Sequence, residues 1–246
     1  MPLDNSLALQ KKPLKNGQHP LEAHHLSHDL RGPLNSILGF SELLLEGIEG
    51  PLNDMQAEDI KAIYQSAKNL LLLINNIVDL SKLQAQAISF EIGIVDLEHI
   101  LRGITHIDFG IAKPPALAIT VAPPPNTASF LGDATRIEQM ILNLIRFSFK
   151  KKRSGEINIS ATCTPQVATL TVAMSDVEIS EAEQAILFDL GVTVDATGRS
   201  ELGPGGLELP LARLLAESQN GQIQVESNAR LGTIFTAQIP ISESNS

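Results

Sequence analysis

Three histidines fall in the segment HHLSHDLRGPLNSILGFSELL, residues 24–44, and one of them, His28, has neighbours that suit phosphoryl chemistry. A neutral imidazole is nucleophilic enough near pH 7 to attack phosphorus, provided its other ring nitrogen can shed or share a proton as charge builds. Asp29 stands beside it as an acceptor for that proton, although residues one apart diverge by about 100° on a helix, so its reach depends on rotamer. Arg31, three residues on, shares the helical face of His28 and suits phosphoryl oxygens. His24 and His25 lack this company and are read as solvated. Pro33 removes one backbone hydrogen bond and crowds the carbonyl of Asp29, at a cost of about 3 kcal/mol in a helix interior. With Gly32 beside it, it predicts a bend just after the histidine.

These residues need a helix to hold them. From Leu30 the apolar positions Leu30, Leu34, Ile37, Leu44 and Ile48 follow a helical rhythm, with Ser41 in the gap, and His28 lies off that seam. After the breaker GIEGPLND a second series runs through Ile60, Ile63, Ala67, Leu70, Ile74 and Ile77, widened by Leu71, Val78 and Leu80. Two long helices therefore pair as a hairpin. Stripes this broad leave apolar surface uncovered, and a second copy covers it best, so a homodimer built as a four-helix bundle is expected.

The chain as a whole has 246 residues and a formal net charge of −10, which disfavours a general nucleic-acid binder because phosphate contacts need a basic face. Its single cysteine, Cys163, has no intrachain disulfide partner, and the opening MPLDNSLALQKKPLKNGQHP lacks the apolar core of a signal peptide. The most apolar run, LLLLINNIVDL, is broken by Asn75, Asn76 and Asp79 and falls short of the roughly 20 residues that span a bilayer. A cytoplasmic protein without membrane or nucleic-acid partners is expected.

Beyond QAQAIS the pattern shortens. FEIGI precedes DLEHILRGI, where Asp96 is a natural N-cap, and ALAITVAP reads as a strand. GDATRIEQMILNLIRFSF is a helix opening at Asp133, and EINISATCTPQVATLTVAMS is two alternating strands about a Thr-Pro-Gln turn. A last helix near PLARLLAES precedes the strands GQIQVES and GTIFTAQIP. These elements predict an α/β sandwich, a mixed sheet covered on one face by helices. The cluster RFSFKKKR, Arg146 to Arg153, holds five of the chain's eighteen Lys and Arg residues; it reads as a helix C-terminus complementing its dipole, ahead of a docking patch for an acidic partner.

SHDLRGPLNSILGFSELL resembles the phosphoacceptor box of sensor histidine kinases, S-H-[ED]-L-R-[TN]-P-L, and NLLLLINNIVDLSKLQA resembles the second helix of the same domain. The resemblance implies that His28 is the phosphorylated imidazole, that Asp29 helps manage its proton and that Pro33 supplies the family's bend. Gly32 departs from the Thr or Asn that the family associates with orienting water for dephosphorylation. GDATRIEQMILNL and GQIQVESNARLGTIFTAQIP are similar to the start and finish of the histidine-kinase ATP-binding domain, whose fold is shared with gyrase and the ninety-kilodalton heat-shock chaperone. The implied fold is α+β: a dimeric helical hairpin followed by an α/β sandwich of that ATPase type. The expected organisation is a flexible tail over 1–20, a dimerisation and phosphoacceptor domain over 21–87, a linker over 88–95 and a degenerate ATPase-like domain over 96–242.

Each nucleotide-contacting box of the family is altered. The asparagine box, N-L-x-x-N-A-x-K in the family, reads NLIRFSFK: Asn143 and Lys150 are retained, but Phe147 stands where the family places a magnesium ligand. A phenyl ring offers nothing to a cation that requires oxygen ligands. The first glycine box reads DVEIS, keeping Asp176, which the family sets against the adenine amino group, but placing Glu178 and Ser180 where glycines are usual. The second reads GPGGLELPLA, with Gly206 retained and Glu208 and Pro210 inside it. A carboxylate about 4 Å from a phosphate charge costs of order 4 kcal/mol at an effective dielectric near 20. Pro210 suits only a first helical turn, so the last helix is expected to begin near Leu209 and to displace the amides that cradle phosphate.

The sequence thus predicts a two-component signalling protein in which His28 carries or relays a phosphoryl group to the receiver domain of a response regulator. It is expected to act as a phosphotransferase or pseudokinase, with a separate sensor or kinase as a further partner and no cofactor. The alternatives are an active kinase using ATP and magnesium at an atypical site, and a docking module that uses no phosphate.

Overall fold

The computed structural model describes residues 20–48, 50–85, 87–104, 106–107, 109–122, 129–194, 200–203 and 205–241. Apart from Pro20, the expected tail lies outside these residues. Helix α1 (Pro20–Leu45) runs through Pro33 without interruption. The Ser36 hydroxyl donates to the Gly32 carbonyl at 3.2 Å, a side-chain bond within the stretch where proline supplies no amide. Helix α2 (Asp54–Gln84) opens on a capping box. There Asn53 accepts from the Gln56 amide at 2.9 Å, and the Gln56 side chain accepts from the Asn53 amide at 3.1 Å, so two donors at the helix start are satisfied reciprocally.

The helices pack as a hairpin, but the apolar rhythm divides into two interleaved sevenfold series. Leu34 and Ser41 on α1, with Ala67 and Ile74 on α2, are buried between the helices. Leu30 and Ile37 on α1, with Ile63, Leu70 and Ile77 on α2, are exposed. The single seam expected from sequence is therefore two faces, because a helix with one antiparallel neighbour covers only one side of so broad a stripe. A groove of about 380 Å³, lined by Ile37, Ile63 and Leu70 among others, marks the open face. Among the described residues no helix is long and apolar enough to cross a membrane.

Strand β1 (Gly93–Asp96) follows and pairs antiparallel with β3 (Ser129–Gly132). Residues 93–95, at the end of the expected linker, lie in this strand and pair with residues 35 to 39 positions further on. Asp96 caps α3 (Leu97–Ile104), accepting from the His99 amide at 3.0 Å. The main sheet has the order β2-β4-β5-β9-β8. Its strands are β2 (Ala116–Ala122), β4 (Ser154–Cys163), β5 (Val167–Met174), β8 (Gln222–Asn228) and β9 (Gly232–Pro240). Only β2 and β4 run parallel, which makes the sheet mixed as expected.

Helix α4 (Ala134–Lys151) and helix α6 (Glu208–Glu217) pack on each other and on the sheet. Asp133 caps α4 through the Arg136 amide at 3.1 Å and also accepts the Glu91 amide at 3.0 Å, tying the approach from α2 to the start of α4. The core runs through Ile137, Ile141, Leu144 and Phe147 on α4, Leu211 and Leu215 on α6, and the inward residues of β4, β5 and β9. Leu83, near the end of α2, packs against it. The short helix α5 (Glu181–Gln184) and the pair β6 (Val192–Val194) and β7 (Ser200–Leu202) lie between β5 and α6.

Candidate functional site

His28 and Asp29 lie on α1 one turn ahead of Pro33. The side chains of His28, His24 and His25 fall outside the described residues; Asp29 is exposed. Arg31 donates from Nε and Nη2 to Asn75 Oδ1 of α2, at 3.2 and 2.8 Å. The guanidinium is thereby held across the hairpin, three residues from His28. It lines a cavity of about 570 Å³ between the hairpin and α4, together with Asn75, Asp79, Glu138, Gln139 and Arg146. Gln139 donates to Asp79 Oδ2 at 2.5 Å, which pins α4 to α2 across that cavity.

Asn75 and Asp79 are therefore site-forming residues that the sequence reading used only as interruptions of an apolar run. Their signal was present. Polar residues at 75, 76 and 79 share one side of an otherwise apolar run, where Asn75 meets Arg31 and Asp79 meets Gln139.

The retained positions of the second body do not converge. Asn143 is fully buried, donates to the Gln139 carbonyl at 3.0 Å and accepts from Arg146 at 3.5 Å. Asp176 sits in a turn with φ of 61°, its side chain 92% exposed, with Lys152 Nζ at 3.9 Å. Phe147 is 2% exposed and meets Phe235 of β9 edge to face at 5.5 Å, and Phe188 also meets Phe235 edge to face, at 6.3 Å. The position at which the family places a metal ligand is thus a core position here, filled by an aromatic cluster.

Lys150, Gly206 and Glu208 do come together. Lys150 Nζ lies 2.6 Å from Glu208 Oε1, and the Glu208 side chain is only 6% exposed. Its second oxygen, Oε2, is buried without a hydrogen-bond partner. Gly206 has φ of 61°, a conformation that favours glycine, and a Cβ there would lie 2.5 Å from Glu208 Oε2. Helix α6 begins at Glu208, one residue before the expected start, so Pro210 sits in the first turn, where its missing amide is tolerated. Leu207 provides no side-chain cap. A cavity of about 360 Å³ opens beside the pair, lined by Asn69, Leu72 and Asn76 of α2 and by Phe149, Lys150 and Arg153.

Ser180, in place of a glycine, caps α5 and forms a capping box with Glu183. The Ser180 hydroxyl holds the Glu183 carboxyl below its ordinary range. Four of the five basic residues from Arg146 to Arg153 have partners inside the fold. Arg146 donates to the Phe109 carbonyl at 2.7 Å, Lys150 pairs with Glu208, Lys151 approaches Glu183 at 3.8 Å, and Lys152 donates to the Ser175 carbonyl at 2.6 Å. The cluster closes the end of α4 onto neighbouring loops, which goes further than complementing a dipole.

Comparison with known proteins agrees with this architecture. Residues 21–86 match the His Kinase A (phospho-acceptor) domain, and residues 132–243 match the histidine kinase-, DNA gyrase B- and HSP90-like ATPase. The chain is 29% identical over 220 residues to the histidine protein kinase DivJ of Caulobacter vibrioides, covering 88% of this chain and 36% of that one. It is 32% identical over 218 residues to the circadian input-output histidine kinase CikA of Synechococcus elongatus, covering 87% of this chain and 29% of that one. The chain thus spans about a third of the length of these curated relatives. Among solved structures, full-length ShkA in complex with AMPPNP superposes with a TM-score of 0.68 at 25% identity, covering 92% of this chain and 47% of ShkA. The Acinetobacter baumannii histidine kinase AdeS shares the fold, with a TM-score of 0.56 at 18% identity over 88% of this chain and 98% of that one. With a phosphoacceptor hairpin joined to a kinase-type ATPase domain in the order of these relatives, the chain belongs to the histidine kinases of two-component signalling.

Proposed function

We propose that this chain works by phosphotransfer through His28 and that its ATPase-type domain does not present magnesium-bound ATP to that histidine. The observation that carries the reading is the Lys150–Glu208 pair at 2.6 Å, set beside a Phe147 buried in the core. Neither residue fits a magnesium-bound triphosphate. The ring supplies no oxygen ligand, and the cation that would meet phosphate already holds a carboxylate. The phosphoryl donor is then an aspartyl phosphate on the receiver domain of a response regulator. One ring nitrogen of His28 forms the bond to phosphorus as the bond to the aspartyl oxygen breaks, releasing the receiver carboxylate. Asp29 takes or shares the proton of the other ring nitrogen, and Arg31, oriented by Asn75, faces the transferred oxygens.

The same chemistry runs in reverse toward a second receiver. The test is incubation with labelled ATP and magnesium in one arm and with a labelled phosphorylated receiver in the other, scoring acid-labile phosphate on the chain. Label is expected from the receiver only. Uptake from ATP at a rate matching the receiver arm would make the chain an active kinase instead, and uptake from neither would make it a docking module.

Assembly follows from the open face of the hairpin. We propose a homodimer in which Ile37, Ile63, Leu70 and Ile77 of the two copies close a four-helix bundle, each half-buried side chain gaining roughly 1 kcal/mol as the rest of its surface is covered. Leu70→Asp is expected to yield monomer or aggregate by light scattering. A wild type that is monomeric at micromolar concentration would overturn this assembly.

A further inference from the structure

Glu208 is hard to explain as a surface charge. It opens α6, reaches back over Gly206 and holds Lys150, yet one of its oxygens lies buried and without a partner against the glycine. An anion here is favoured by the helix start and by the lysine, whereas an unshared buried carboxylate oxygen is unfavourable. The backbone at Gly206 leaves the space that this oxygen fills, since a Cβ there would lie 2.5 Å from Oε2 and 3.6 Å from Lys150 Nζ. The geometry is that of an anion site with its anion supplied from within.

We infer that Glu208 is a built-in occupant: its carboxylate closes the place, formed here by Lys150, Gly206 and the start of α6, that the family's ATPase domains offer to phosphate oxygens. The occupant is tethered one residue from Leu207, so it competes at an effective concentration that a free ligand does not match. Phosphate groups enter only when that carboxylate is neutralised or removed. They bind without magnesium, because Phe147 and its aromatic neighbours leave no ligand for the metal. The same pair lines the cavity that borders α2 through Asn69, Leu72 and Asn76. The inference concerns the ATPase-type domain alone and makes no use of His28.

The test is calorimetric titration of the full chain with inorganic tripolyphosphate in the presence of a chelator, at low ionic strength. Glu208→Gln, which keeps the shape and loses the charge, is expected to bind at least tenfold tighter than wild type. The gain should disappear in Glu208→Gln with Lys150→Gln, and Glu217→Gln, a surface change of the same charge, should not reproduce it. Thermal unfolding gives a second reading: Lys150→Gln alone should lower Tm, and adding Glu208→Gln should restore it, because the stranded carboxylate is then gone. Binding by Glu208→Gln no tighter than wild type, an equal gain in Glu217→Gln, or no recovery of Tm in the double variant would overturn the inference. So would a Glu208→Gln chain that fails to fold, since a neutral amide of the same shape relieves the buried charge. The inference rests on the reading of the Lys150–Glu208 pair as closed to nucleotide phosphate; phosphate uptake by His28 from a receiver is not read in these measurements, so a failure of the anion site is distinguishable from a failure of phosphotransfer.

Discussion

His28→Gln is expected to abolish phosphate uptake from a phosphorylated receiver while leaving the dimer and its melting temperature close to those of the wild type. Glutamine keeps helix propensity and polarity but has no nucleophilic nitrogen, so the loss is of the acceptor itself. The position lies off both apolar series of α1, where substitutions change stability by about 0.5 kcal/mol or less. His24→Gln and His25→Gln are expected to keep wild-type uptake, since neither has the carboxylate and guanidinium at the spacing of Asp29 and Arg31. The measurement is acid-labile label on each variant after incubation with the same phosphorylated receiver. Uptake by the His28 variant at the wild-type rate would remove the basis of the phosphotransfer reading.

Phe147→Ala is expected to cost about 3–5 kcal/mol in urea unfolding, the range for truncating a fully buried phenylalanine. The loss has two parts. The ring leaves a void between α4 and the sheet, and the edge-to-face contact with Phe235 at 5.5 Å disappears. Phe147→Leu should cost less, because much of the volume is kept. A residue facing an open nucleotide cleft would behave differently, with its truncation falling within about 0.5 kcal/mol of neutral. A small effect for Phe147→Ala would therefore show that this side of α4 is not core, and would reopen the fit of a metal-bound nucleotide.

The two substitutions together separate what the two bodies contribute. In the proposed transfer the hairpin supplies the reacting imidazole, and Arg31 is held in place from α2 by Asn75. The ATPase-type domain supplies a packed body that docks on α2 through the Gln139–Asp79 bond and Leu83. Its departures from the family pattern are structurally consistent with one another: Phe147 completes a core cluster, Ser180 caps α5, Pro210 sits in the first turn of α6, and Glu208 pairs with Lys150. Local substitutions that each find a structural partner in this way mark a domain stable in its altered form.

The elements were legible in the sequence where their signals are local. A cap and the residue it bonds are three apart, so Asp96 and Asp133 could be read as helix starts without knowledge of the fold. Strand alternation and a turn signal of a few residues placed β4 and β5. The quartet of His28, Asp29, Arg31 and Pro33 likewise lies within two turns of one helix. What stayed hidden is long-range. Strand β3 and helix α5 are four residues each, too short to show a period, and β3 exists because β1 pairs with it. The division of the apolar stripe into a closed and an open series depends on where α2 lies against α1, which no spacing within either helix reports.

The sequence by itself thus determined that a phosphoacceptor helix stands before an α/β domain of the kinase type, and that the nucleotide boxes of that domain are altered. Only the tertiary structure decided what the alterations do. Lys150 and Glu208 are 58 positions apart and Arg31 and Asn75 are 44 apart, and a charge or an amide has no preferred partner at such separations until packing brings the two within about 3 Å. From sequence, Glu208 is a charge that repels phosphate at a distance. In the fold it is an anion already seated on the lysine, because burial in the turn at Gly206 leaves that ammonium as its only ionic partner among the described residues.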